Sequence, residues 1–395
     1  MIDVFIIGSR GYTKKYGGWE TLVHGLIDNK IDQGINYYVY EVVDNKEDAG
    51  ILRIDGITCI KLYIKAKNGF QMIFGDIKAL IHSVKFIKLN NIEKPILLTL
   101  GARIGPFIWF LRPYIKASKI IIMDNPGGIE WKRPKWGIIG EVYSFISCFF
   151  TAKASDYIVC DSEGIRAIYN NMVKTKKQKK EFAAYGVYPI QNYPVKTDKI
   201  KKYLEHYGIK ENDYYLIINR FMPENSYELI LEEFINSRTK KDLILVTNID
   251  KERTYYTKLA KLISFEKDTR IKFVGTMYDS DILLYLRLNA FGYINGHTLG
   301  GTNPGLLEAM ATTGFVIAYD AVFSREVCGD YAFYFDKKKS LCDLLESVEE
   351  VDKENRLEII CKSRARMEEM YSWHDITEKY ELFFKESVNH IRGRK

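Results

Sequence analysis

Short apolar runs alternating with longer amphipathic stretches, in two successive series, constrain this chain more than any other feature. In the first half the runs are Val4–Ile7, Tyr37–Val43, Thr58–Leu62, Ile96–Leu100, Lys119–Met123 and Tyr157–Cys160. Between them lie stretches with helical spacing, among them Trp19–Asp32, Ile73–Leu89 and Lys135–Ala152. Brief apolar runs suit strands buried on both faces, and strands separated by helices predict a parallel sheet covered on both sides. The second series has strands at Tyr215–Asn219, Leu243–Thr247, Ile271–Val274, Ala290–Ile294, Phe315–Ala318 and Ala332–Phe335. Its helices include Tyr227–Ser237, Tyr255–Glu266, Asp279–Leu288 and Pro304–Thr312. The expected fold class is therefore α/β, with two doubly wound parallel-sheet domains and a ligand crevice facing the carboxyl ends of both sheets.

At 395 residues the chain suits two domains, each with its own core. The boundary is expected between Gly186 and Tyr193, just past the lysine-rich segment Lys174–Glu181. That segment reads as a solvated loop, with contact to anionic lipid heads or a phosphorylated acceptor as the alternative. A last helix, His374–Ile391, follows the second sheet. A formal charge of +7 permits phosphate or membrane-surface contact and does not call for nucleic acid. The six cysteines form no C-x-x-C pair and no His cluster accompanies them, which argues against zinc and for reduced thiols in the cytoplasm. Val4–Ile7 reads as a first strand, not a signal peptide. The longest apolar segment, Ile138–Phe150, is interrupted by Glu141 and too short to span a bilayer, so any membrane contact would be peripheral.

Four segments carry chemistry. In Asn295-Gly-His-Thr-Leu-Gly-Gly-Thr-Asn-Pro-Gly-Leu-Leu-Glu-Ala-Met310 a strand ends, a glycine turn follows and Pro304 opens a helix. Gly300 and Gly301 let backbone approach a ligand, and the helix start can offer N–H groups and a positive dipole end to phosphate. Glu308, one turn in, can accept from ribose hydroxyls; the ordinary alternative is a capped helix with a surface Glu. In Ile217-Ile-Asn-Arg-Phe-Met-Pro-Glu-Asn225, Arg220 ends a strand and can chelate a diphosphate, or can be a salt-bridged structural arginine. Glu224 and Asn225 follow in a loop and can reach a sugar hydroxyl or cap the next helix.

Near the start, Gly8-Ser-Arg-Gly11 and Tyr16-Gly-Gly-Trp-Glu20 do not match the dinucleotide spacing G-x-G-x-x-G. Gly17 and Gly18 before a helix led by Glu20 make a flexible loop or only a tight turn. In Asp124-Asn-Pro-Gly-Gly-Ile-Glu-Trp-Lys-Arg-Pro-Lys-Trp136, Asp124, Asn125 and Glu130 are the first-half groups best placed to touch a sugar. Trp131 and Trp136, with Lys132, Arg133 and Lys135, lead into Ile138–Phe150 as a membrane-surface element or as a core-packed helix.

Taken together, I-G-S-R-G, Y-G-G-W-E-T, G-G-I-E-W-K-R and G-G-T-N-P-G-L-L-E-A-M make the chain resemble the GT-B retaining glycosyltransferases of family four, over nearly its whole length. More narrowly it is similar to bacterial β-1,4-rhamnosyltransferases of capsule and cell-wall polysaccharide assembly. The resemblance implies an N-terminal Rossmann-like acceptor domain over 1–188 and a C-terminal nucleotide-sugar domain over 189–373, with 374–395 able to pack back on the first. It implies a donor such as dTDP-L-rhamnose, a lipid-diphosphate-linked saccharide acceptor, peripheral contact with the inner membrane surface and no metal or other cofactor. It assigns Arg220 to the diphosphate, with Glu224 and Asp124 as further candidate catalytic groups. Asn225, His297, Gly300, Gly301, Thr302, Asn303 and Glu308 fall on the donor side; Gly17, Gly18, Glu20, Asn125 and Glu130 fall on the acceptor side. Three positions depart from the family pattern: Gly300 stands where a first glutamate is common, Asn225 where a lysine is, and Gly127 where N-P-D-G has its aspartate. Rival readings are an epimerase on the same fold, a UDP-sugar-dependent transferase and a non-catalytic sugar-nucleotide-binding protein.

Overall fold

The computed structural model of the chain describes residues 1–14, 17–65, 69–133, 137–174, 178–190, 194–249 and 254–392. Tyr16 of the first glycine motif, Lys135 and Trp136 of the fourth segment, residues 175–177 of the lysine-rich run and Tyr193 at the expected boundary lie outside them. The chain divides into two compact units, Met1–Gly186 with Trp373–Lys395, and Val187–Ser372.

The first unit begins β1 (Ile2–Ile7), α1 (Gly18–Asp28), β2 (Ile35–Val43), β3 (Gly50–Ile54), β4 (Ile57–Tyr63) and α2 (Gly69–Leu89). It continues β5 (Pro95–Leu100), α3 (Gly105–Ala117), β6 (Ile121–Asn125), α4 (Ile138–Ala154), β7 (Tyr157–Cys160), α5 (Glu163–Met172) and β8 (Lys179–Phe182). The second unit opens with α6 (Asp198–Tyr207), β9 (Tyr214–Ile218), α7 (Tyr227–Asn236), β10 (Asp242–Val246), α8 (Thr254–Ile263), β11 (Ile271–Phe273) and α9 (Ser280–Leu288). It closes with β12 (Gly292–Asn295), α10 (Pro304–Thr312), β13 (Val316–Tyr319), α11 (Val322–Cys328), β14 (Ala332–Phe335), α12 (Leu341–Glu349) and α13 (Lys353–Tyr371). The last helix, α14 (Trp373–Arg392), belongs to the first unit.

The first sheet runs β3-β4-β2-β1-β5-β6-β7-β8 and is parallel except for the antiparallel edge pair β3–β4. The second runs β11-β10-β9-β12-β13-β14, all parallel. In each sheet the chain steps outward one way and then returns to the other side of its first strand. The order reverses between β1 and β5, and between β9 and β12. Loops leaving the carboxyl ends of such paired strands diverge and open a crevice. The central strands are apolar on both faces because helices cover both; every residue of β5 and β6 is buried.

Three differences from the sequence expectation have local causes. The strand expected at Lys119–Met123 starts two residues later, because Lys119 adopts φ +55 in the turn after α3. Asp124 and Asn125 therefore sit inside β6, not in the loop beyond it. The lysine-rich segment is a loop only in part: Lys179–Phe182 extends as the edge strand β8, parallel to β7. An edge strand tolerates lysines because one side meets water. The antiparallel β3, with its exposed Ile51 and Leu52, has no clear period and was not expected.

The final helix packs against α1. A Cβ on Gly25 would lie 2.2 Å from the Trp373 ring, so glycine lets the two helices approach closely. Glu381, buried, accepts from the backbone N–H of Ile31 (2.8 Å) and Asp32 (2.9 Å), and Lys385 pairs with Asp32 at 2.7 Å.

Candidate active site

In the second unit the residues of interest leave the carboxyl ends of β9 and β12, the strands flanking the reversal. Arg220 stands exposed two residues past β9, and its guanidinium makes no hydrogen bond or ion pair with any other described residue. A salt-bridged structural arginine would show a partner; among the described residues this one has none, which leaves its donors for a ligand. Its backbone is braced. The Asn225 Nδ2 donates to the Arg220 carbonyl at 2.7 Å.

The other end of the Asn225 amide reaches across to the β12 turn, where Oδ1 lies 2.9 Å from His297 Nδ1. Because Nδ2 is committed to a carbonyl, which only accepts, Oδ1 must face the imidazole, and His297 then donates from Nδ1. Gly296 makes this approach possible, since a Cβ there would lie 2.2 Å from the Asn225 carbonyl oxygen. Asn225 is thus a brace between two loops. It is buried and bonded at both its oxygen and its nitrogen, so the expected direct sugar contact is corrected to a supporting role, and neither it nor Glu224 caps α7.

Glu224 is also corrected. It lies in a short turn, Pro223–Asn225, is 2% exposed, and its carbonyl accepts from the Thr298 N–H (2.9 Å) and hydroxyl (3.1 Å). One carboxylate oxygen, Oε2, is buried without a hydrogen-bond partner. Such a group cannot meet a sugar in this arrangement.

At α10 the expectation of free amides in the helix start is revised. Asn303 is the N-cap: its Oδ1 accepts from Gly305 N (2.9 Å), and its carbonyl accepts from Leu306 N (3.0 Å) and Leu307 N (3.1 Å). Pro304 has no N–H to offer. The donors still available belong one turn earlier, to Gly300 and Gly301, whose N–H groups bond no described residue. Gly300 has φ +139, which side chains rarely adopt, and a Cβ there would meet His297 Nε2 at 3.0 Å. The imidazole therefore lies beside Gly300. Thr302 is buried, and the dipole of α10 points its positive end at this turn.

Glu308 is half-exposed and ion-paired with Arg287, which lies near the end of α9. Arg287, only 12% exposed in its side chain, was not singled out from the sequence; an isolated arginine late in a helix carries no local signal. The pair leaves Glu308 an accessible carboxylate already neutralised by one partner.

In the first unit, Gly8 follows β1 with φ +103, and a Cβ there would lie 2.1 Å from the Leu100 carbonyl at the end of β5. Glu20, buried in the first turn of α1, accepts from Arg10 N at 2.6 Å. This carboxylate ties the turn after β1 to the helix start at Gly17 and the exposed Gly18; Gly17 takes φ +138, and a Cβ there would lie 1.9 Å from Glu20 Oε2. Glu41, another buried carboxylate missed in the sequence, holds the far side of the turn through Thr13 Oγ1 at 2.6 Å. The Trp19 ring lies across the glycines that follow β5 and β6: would-be Cβ atoms on Gly101 and Gly127 fall 3.4 and 2.7 Å from its Cζ2.

Asp124 is fully buried and accepts from Thr99 Oγ1 at 2.5 Å; burial pushes its carboxyl up to about 7. Asn125, also fully buried, donates to the Tyr380 hydroxyl (2.7 Å) and accepts from Gly127 N (3.1 Å). Both expectations of sugar contact are corrected: the two-residue shift of β6 places these side chains in the interior. Asn125 instead ties α14 to the glycine turn. Glu130 is partly exposed and paired with Arg133 at 2.8 Å. Trp131 is buried against Phe145 and Tyr169, so it packs as core.

Among the described residues, His374, Asp375 and Glu378 on α14 form a group whose ligand atoms could converge on a metal ion, and none of them was a sequence candidate. The six cysteines are unpaired, four of them buried.

By sequence, residues 1–188 match a family described as a domain of unknown function, DUF1972. No curated protein matches the chain. Solved structures do. HepE from Anabaena, in complex with UDP, aligns over 98% of this chain and 100% of its own at TM-score 0.71 and 13% identity. The chain has the GT-B fold. Sucrose-phosphate synthase from Thermosynechococcus elongatus superposes at TM-score 0.75 and 14% identity, covering 98% and 99% of the two chains. A glycosyltransferase from Rickettsia africae does so at 0.70 and 15% identity, covering 98% of each. With the GT-B fold in hand, the reversal at β9 and β12 falls in its second sheet, and Arg220 stands two residues past β9.

Proposed function

We propose that this GT-B chain is a glycosyltransferase that moves a sugar from a nucleoside diphosphate with retention of configuration. The donor we propose is dTDP-β-L-rhamnose and the acceptor a lipid-diphosphate-linked saccharide in bacterial surface polysaccharide synthesis. The observation that carries the reading is Arg220, an exposed, unpartnered cation at the β9 end of the β9/β12 reversal. The unbonded amides of Gly300 and Gly301 belong to the loop that leaves β12, the strand next to β9, and an unpaired cation and free N–H groups on two such loops suit two linked phosphates.

In this mechanism the bond between the sugar anomeric carbon and the diphosphate oxygen breaks as the acceptor oxygen bonds the same carbon from the same face. The acceptor proton passes to the departing diphosphate. Arg220 and the α10 end stabilise the charge that grows there. His297 and Thr302 contact the donor, Glu308 takes the ribose, and no metal is needed, so transfer persists in chelator. Gly300, with no carboxylate to meet sugar hydroxyls, suits a 6-deoxy sugar.

Arg220→Ala tests the assignment: calorimetry with dTDP, and transfer with dTDP-rhamnose, should both drop by at least about a hundredfold. Near-normal turnover removes it. A second reading, a UDP-sugar donor, is favoured by the structures of HepE with UDP and UDP-glucose. A thermal-shift comparison of dTDP-, UDP- and GDP-sugars separates the two. Conversion of the free nucleotide sugar without acceptor would identify an epimerase instead.

A further inference from the structure

The helix α4 is built inside out, and its neighbour α3, which buries Ile108 and Ile115 in the core, also turns large apolar residues to water. On α4 the buried residues are small or polar, namely Ser147, Cys148, Thr151, Ala152 and Ala154. The large apolar residues face water: Ile138, Val142 and Phe145 follow one another at helical spacing, with Ile139 beside them. On α3 the exposed stripe is Phe107, Phe110 and Tyr114. Exposure is nearly complete for Phe110 (82%), Ile138 (81%) and Ile139 (88%). Ten of the 25 exposed large apolar side chains among the described residues lie on these two helices.

The stripes adjoin. Gly105 meets α4 so closely that a Cβ would lie 1.9 Å from the Ser147 carbonyl, and Gly105 N donates to Ser147 Oγ at 2.9 Å. Trp109 packs on Phe150 with ring centroids 5.9 Å apart. An ordinary surface helix of an α/β domain turns large apolar groups to the sheet and polar ones to water. On α4 small or polar residues make the inner contact, and together with the α3 stripe an apolar face is left outside, larger than scattered surface residues explain.

The charges around it select the occupant. Lys88 Nζ lies 3.6 Å from the Tyr114 ring centroid and Lys153 Nζ 4.9 Å from that of Trp109; Lys116 and Lys132 are exposed nearby in sequence. The two helices carry a single acid, Glu141. A second copy docking through a two-fold axis would bring like cations together. A bilayer with anionic headgroups offers the opposite charge, a zone that favours aromatic rings, and an interior for the aliphatic tips. We infer that the exposed face of α3 and α4 is a docking surface for an anionic lipid bilayer, seating the first unit on the membrane with Phe110, Ile138 and Ile139 inserted. No described helix is long and apolar enough to cross, so the contact is peripheral.

The test is co-sedimentation of the full chain, without donor, on vesicles of phosphatidylethanolamine with about a quarter phosphatidylglycerol, beside pure phosphatidylcholine. The full chain should pellet with the anionic vesicles, and less so as salt rises. The double variant Phe110→Glu and Ile139→Glu should bind at least about tenfold more weakly, and Lys116→Glu with Lys153→Glu should lose a similar factor and much of the salt dependence. Unchanged melting and dTDP binding would show these variants folded; the milder Ile139→Ser serves if they are not. Equal binding by the apolar double variant, no binding by the unaltered protein, or a solution dimer that the double variant splits would each overturn the inference. Because donor is absent, any of these outcomes leaves the assignment of Arg220 standing.

Discussion

Asn225 Oδ1 and His297 Nδ1 lie 2.9 Å apart, a bond between residues 72 positions distant that locks the turn after β9 to the turn after β12. The same amide holds the Arg220 carbonyl, so one side chain sets both the cation and the imidazole. Asn225→Ala should weaken dTDP binding by about tenfold, the equivalent of one lost hydrogen bond to an ordered loop. Calorimetry reads it. Unchanged affinity would show that the brace does not shape the site.

Arg220 is exposed, and its guanidinium has no partner among the described residues. Arg220→Ala should therefore leave stability within about 0.5 kcal/mol while removing nucleotide binding. Arg220→Lys should recover only part of it, because an ammonium cannot chelate two oxygens through a planar fork. Parallel melting and titration experiments decide; a melting temperature several degrees lower would mean a structural arginine after all.

Glu308 and Arg287 form a partly exposed pair, worth about 1 kcal/mol or less. Glu308→Gln should thus melt close to the unaltered protein. If its carboxylate also takes the ribose, the Kd for the nucleotide should rise about tenfold while that for inorganic pyrophosphate stays put. A parallel loss for both ligands would assign Glu308 to holding Arg287.

Burial lifts the Asp124 carboxyl to about 7. In the unfolded chain the group ionises near about 3.9. Between that value and about 7 the folded state holds a proton that the unfolded state has released, so stability falls as pH rises through this window. Asp124→Asn removes that slope. The variant should gain on the unaltered protein from about pH 4 to about pH 7, by up to a few kcal/mol, whatever constant cost the new amide brings. Thermal melts across that range check it; curves that stay parallel would refute the buried ionisation.

Gly25 faces the Trp373 ring at a distance that admits no Cβ. Alanine has the better helix propensity, yet Gly25→Ala should destabilise the protein by about 1–3 kcal/mol through overpacking between α1 and α14. Denaturant unfolding measures it. A stabilised variant would mean that α14 can move away at little cost.

Much of this molecule is local. The alternation of apolar runs with amphipathic stretches determined two parallel α/β sheets, because strand and helix periods are properties of neighbouring residues. Pro304 after paired glycines located the start of α10 for the same reason, and Arg220 at the end of a strand stood out by position alone. The tertiary structure decided what each polar group could still do. A left-handed Lys119 moved β6 by two residues and carried Asp124 and Asn125 into the interior. Asn303 consumed the helix amides, leaving those of Gly300 and Gly301. Arg287 reached Glu308, Asn225 reached His297, and the apolar side of α4 turned outward. Those outcomes depend on which distant segments share space, and packing between distant segments leaves no period in the sequence.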